Sequence, residues 1–93
     1  MKAFWNNKLL AESEETVIIE GDHYFPIDSL NKQYFRESDT NTICPWRGIA
    51  YYLDIDVNGE TNKDAAWYFL DESKIVKGIV RRIAFWRGVE ITG

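Results

Sequence analysis

The sequence predicts a mainly β fold: a single domain over residues 1–93, an antiparallel sheet curled into a partial barrel, with one short α-helix over residues 72–77. Three observations predict it. Ile49, Tyr51, Leu53, Ile55 and Val57 alternate with Ala50, Tyr52, Asp54 and Asp56, the period-two pattern of a strand with one face on a core. Asn58-Gly59 follows at once, and a type I′ hairpin turn, with positive φ at both central residues, favours that dipeptide. Short β-branched or aromatic runs recur along the rest of the chain, divided by Asn, Gly and Ser, as in all-β folds.

The elements follow in order. Residues 2–5 and 9–12 read as a hairpin about Asn6-Asn7, since Asn tolerates positive φ. Ser13-Glu14-Glu15 connects to a β-branched strand over 16–20, which Gly21-Asp22 ends. Pro26 restricts Phe25 to an extended backbone. Residues 27–31 fit a single helical turn, 33–37 a strand and 38–41 a loop. Past Asn58-Gly59, the partner strand includes residues 65–70. Asp71 suits an N-cap for the helix, and Gly78 suits its close. Residues 79–86 are strand-like again, and Arg87-Gly88 turns the chain into a last strand over 89–92.

Composition narrows the function classes. With 93 residues, 45% hydrophobic and 28% charged, the chain is globular and long enough for one core. One cysteine and one histidine exclude an intrachain disulfide and a Cys-rich zinc site, and no metal is expected. The residues carry no apolar signal core and no run long enough to span a bilayer, so the expected setting is the cytoplasm, with no membrane partner. A net charge of −4 argues against nucleic acid as a partner. The charge is uneven: residues 74–93 hold five of the eleven Lys/Arg and one of the fifteen Asp/Glu. This basic end either pairs with the acidic remainder or forms an anion site. Four Trp, five Tyr and five Phe can build a dense core and still leave rings for a binding surface.

The segment Thr42-Ile43-Cys44-Pro45-Trp46-Arg47-Gly48 draws the most attention. Pro45 removes a backbone donor, so this stretch is not a central strand. Gly48 frees the backbone before the long strand, and Trp46 and Arg47 lie between on a stiff loop, a good place for functional side chains. Taken with Ala11-Glu12-Ser13, the run Gly21-Asp22-His23-Tyr24-Phe25-Pro26, the run Asn62 to Tyr68 with its Ala65-Ala66-Trp67-Tyr68, Ala84-Phe85-Trp86 and Gly88-Val89, the chain resembles the family catalogued as domain of unknown function 427 (DUF427), sometimes labelled nucleotidyltransferase-like. The resemblance covers nearly the whole chain. It departs at Leu70-Asp71-Glu72, where the family pattern has a proline-containing turn. It implies a mainly β fold and no established reaction.

Two classes of function remain open. The first is a module binding a small molecule or partner through an aromatic pocket of Trp46, Arg47, Tyr51, Trp67 and Tyr68, with rings to stack a flat ligand or hold a cation. The alternative use of the same rings, with Trp86, is a tight core. An exposed aromatic face would equally serve a homodimer. The second class is an enzyme. Cys44 with His23 would supply thiol chemistry if the pair met in space and the thiol ionised; otherwise Cys44 is a small buried apolar residue. A nucleotidyltransferase-like activity would need metal-binding carboxylates. Asp54 and Asp56 are the pair of suitable spacing, although no phosphate-gripping glycine turn accompanies them. The sequence names no cofactor.

Overall fold

The computed structural model describes residues 1–45, 48–70 and 79–93, with Cys44 described by its backbone alone. The expected helix over 72–77 lies outside the described residues.

The strands are β1 (Lys2–Trp5), β2 (Lys8–Glu12), β3 (Val17–Ile19), β4 (Asp22–Pro26), β5 (Phe35–Cys44), β6 (Gly48–Val57), β7 (Glu60–Phe69), β8 (Arg82–Phe85) and β9 (Glu90–Thr92). Two single 3-10 turns, Ile27–Ser29 and Lys32–Tyr34, connect β4 to β5. The mainly β expectation holds. Strands β2-β1-β9 form a small sheet and β3-β4-β8-β7-β6-β5 a large one. Among the described residues these strands pair antiparallel throughout and neither sheet closes on itself, so the partial barrel is an open one.

Turn chemistry sets these hairpins. Asn6 and Asn7 have φ of 52° and 63°, and Asn58 and Gly59 of 52° and 82°, the left-handed pair that a type I′ turn requires. Glu20-Gly21 and Arg87-Gly88 repeat the geometry with a bulkier first residue. Residues 38–41 are strand rather than loop: β5 runs on through them, with an irregular register between Glu37 and Asn41. Their Ser, Asp, Thr and Asn side chains are polar because β5 is the outer strand of the large sheet, where charge and irregularity discourage pairing with other chains.

Between the two sheets lies a core of Ala3, Leu10, Ala11, Phe25, Leu53, Ile55, Val57, Ala65, Ala66, Ile83 and Phe85. The opposite face of the large sheet carries a second cluster: Tyr24, Ala50, Phe69, Ile79 and Ala84, flanked by Tyr52 and Trp67. Neighbours such as Tyr24 and Phe25, or Ile83 and Ala84, thus serve different clusters, as strand alternation requires. The backbone N–H of Asn31 donates to the Leu10 carbonyl at 2.7 Å, which ties the two 3-10 turns to the small sheet. They form a wall beside the inner face of the large sheet.

Candidate functional site

That wall leaves a cavity of about 360 Å³, lined by Ile27, Leu30, Lys32, Phe35, Glu37, Leu53, Tyr68, Leu70 and Ile83. Its position follows from register. Glu37 is opposite Leu53, which is opposite Ala66, and Tyr51 is opposite Tyr68 one step along the same face. The Tyr51 and Tyr68 rings stack with centroids 5.7 Å apart and planes 27° apart. The Tyr68 hydroxyl lies 3.1 and 3.0 Å from the two Glu37 carboxylate oxygens, to which it donates its single proton. Burial, then the hydrogen bond and charge of Glu37, push the Tyr68 phenol up to about 12, so it is neutral at physiological pH. The cavity is therefore apolar along Ile27, Leu30, Phe35, Leu53 and Ile83, and polar where Tyr68, Glu37 and Lys32 reach it. Apolar walls with a few convergent polar groups are the usual form of a small-molecule site.

Trp67 points the other way. It meets Tyr24 edge-on at 6.3 Å and Trp86 edge-on at 5.8 Å, while Tyr52 tilts against Trp86 at 6.4 Å. The indole N–H of Trp67 donates to the Tyr24 hydroxyl at 3.3 Å, and that of Trp86 to the Asp64 carbonyl. Arg87 lies over the Trp86 ring at 4.6 Å and donates to the Lys63 carbonyl at 3.2 Å. Both indole donors are consumed by the protein, which marks this lattice as packing.

The carboxylates of the β6–β7 hairpin are likewise engaged. Asp56 accepts from Thr61 and Arg36, and these hydrogen bonds, with the Arg36 charge, hold its carboxyl below the usual range. Asp54 accepts from the Asp64 backbone at 2.8 Å and from Lys63 at 3.3 Å. Burial pushes the Asp64 carboxyl up, but hydrogen bonds from Ser38 and Thr40 and the charges of Lys63 and Arg87 outweigh it and hold it low. This network sits where the β6–β7 register shifts and where Asp64 has φ of 54°; it stabilises a bulge. Among the described residues no three His, Cys, Asp or Glu side chains gather as a metal-holding group.

Of the residues singled out in the sequence, Tyr51 and Tyr68 come together on the inner face and Trp67 lies on the outer one. His23, on β4, shares a 3.1 Å hydrogen bond with the Thr16 hydroxyl. Cys44 ends β5, and β8, β7 and β6 lie between those two strands in the sheet. Trp46 and Arg47 lie outside the described residues. Glu37, Phe35, Ile27 and Lys32 escaped sequence reasoning. The available signal was the parity that sets Glu37 on the face of Leu53, but it depended on knowing that β5 pairs with β6.

Among the described residues no helix is long and apolar enough to cross a membrane. No curated protein matches the chain. The strands and turns that carry the motifs extend from β1 to β9, and so does the family comparison: the model described as Domain of unknown function (DUF427) matches residues 1–92, and the chain belongs to that family.

Proposed function

We propose that this protein is a binding module for a small molecule, taken into the cavity between the 3-10 turns and the inner face of β5, β6 and β7. One observation carries the reading. A cavity of about 360 Å³ that is apolar on most sides ends at a hydroxyl–carboxylate pair, Tyr68 with Glu37. Its volume falls within the range of roughly 300–1,000 Å³ typical of ligand pockets. Tyr68 provides one wall, and Tyr51 stacks on its ring. The enzymatic reading through Asp54 and Asp56 has less support, because protein donors already hold both carboxylates.

A fragment screen read by ¹H–¹⁵N NMR tests the proposal. Binding fragments should shift the amides of residues 27–37, 53 and 68 together. Ile27 is 45% exposed, so Ile27→Trp should leave the fold intact while obstructing the cavity, and it should remove those shifts. Fragments that bind with equal affinity to Ile27→Trp would refute the cavity as the site.

A further inference from the structure

Resting on that reading, we infer that the cavity selects a small organic monocation: a primary amine on an apolar body, with its ammonium at Glu37 and its body among Leu30, Phe35, Leu53 and Ile83.

Stoichiometry at the polar end comes first. A carboxylate has two oxygens and about four lone-pair sites, all acceptors. The Tyr68 hydroxyl reaches both Glu37 oxygens, at 3.1 and 3.0 Å, but has one proton to give. Among the described residues Tyr68 is the one hydrogen-bond donor to Glu37, and none forms an ion pair with it. Toward the described residues most of its acceptor capacity is unused, and Glu37 is an exposed residue at the edge of the cavity. The three donors of an ammonium match it. A neutral hydroxyl satisfies less of it, and an anion meets like charge.

The rings favour the same charge. Tyr68 is a wall of the cavity, and Tyr51 stacks on it. The π-face of Tyr68 is negative and attracts a cation. The phenol cannot compete as an anion, because burial and Glu37 keep it protonated. The net charge of the whole chain, −4, is of the sign that draws cations rather than anions.

Size and Lys32 limit the ligand. If each non-hydrogen atom takes about the 30 Å³ share of a liquid water, 360 Å³ holds about a dozen atoms. Lys32 lines the same cavity and disfavours a second positive charge near the first. A monoamine of phenethylamine size satisfies both conditions.

Three isosteric probes test this on the full chain: phenethylamine, 2-phenylethanol and phenylacetate, titrated by NMR at constant ionic strength. Phenethylamine should bind about tenfold more tightly than the alcohol, the combined effect of one exposed ion pair and one cation–π contact. Glu37→Gln should remove that preference, and Lys32→Ala should strengthen amine binding. Glu37→Lys should exchange the preference in favour of phenylacetate. If the alcohol or the acid binds wild type as well as the amine, and Ile27→Trp abolishes it, the selectivity is overturned and the binding module stands. If phenylacetate binds and Lys32→Ala abolishes it, the cavity is an anion site and the inference is likewise overturned. If none of the three shifts residues 27–37, 53 and 68, the amine proposal fails, and a fragment screen equally without effect there would remove the binding module too.

Discussion

The two faces of the large sheet use the same kinds of side chain to different ends. On the outer face, Tyr24, Tyr52, Trp67 and Trp86 meet ring to ring, and each indole N–H ends on a protein oxygen. On the inner face, Tyr51 and Tyr68 stack beside a cavity, and among the described residues the Glu37 carboxylate accepts from Tyr68 alone. Aromatic content alone therefore does not mark a binding surface. What separates the faces is whether the polar ends of the rings are satisfied inside the protein and whether the space beside them is filled.

The contrast can be broken from the outer face first. Trp67→Ala removes two edge-on ring contacts and the bond to Tyr24. It should lower stability by about 3 kcal/mol, a fall of roughly 12 °C or more in Tm for a domain of this size, measured by calorimetry. A change under 1 kcal/mol would mean that the lattice is not structural. Asp64→Ala loses the Ser38 bond and places an ordinary side chain at φ of 54°; about 2 kcal/mol is expected. Asp64→Asn, which tolerates that backbone, should recover much of it. Trp86 is 43% exposed, so Trp86→Ala should lose about 1 kcal/mol in denaturant titration, less than Trp67.

On the inner face, Tyr68→Phe should change stability at neutral pH by under about 1 kcal/mol. Its signature is in alkali. The unfolded phenol loses its proton near 10, the folded one near 12. Between those values the folded state holds more protons, so stability falls as pH rises through that window. Tyr68→Phe should flatten this part of the profile, read by urea midpoints from pH 9 to 12. Smallest of all, Ile43→Thr at an 82% exposed position should stay within about 0.5 kcal/mol.

Hairpins were legible because their signals are local. Asn6-Asn7 and Asn58-Gly59 set their own backbone, and the alternation of residues 49–57 declared its faces. Residues 38–41 misled because Ser, Asp, Thr and Asn are turn residues by propensity, yet an outer strand tolerates them on its wet side. The strand from Ile49 was expected to have one wet face. Ala50 is buried there at 5% exposure, because the second cluster covers part of the outer face. Tyr51 and Tyr68 stand out in the sequence as binding candidates through the aromatic excess, and their stacking follows from register. Glu37 could not be found without the pairing of β5 with β6, which no local pattern encodes. The sequence leaves Trp67 open to a pocket with the tyrosines or to a tight core, and one residue of strand parity between Trp67 and Tyr68 separates the two.

The small sheet joins distant parts of the chain, since Lys2 pairs with Thr92 and Phe4 with Glu90. Every hairpin can form as soon as its own residues exist, within microseconds. Strand β9 must instead wait for the synthesis of everything before it, and its closure bears the largest loop entropy in the molecule. During that interval the inner core lacks one strand of its cover. Between emergence of β8 and docking of β9 the nascent protein thus still exposes the part of its core that Val89 and Ile91 cover, and changes around Val89–Ile91 should alter yield more than they alter the finished fold.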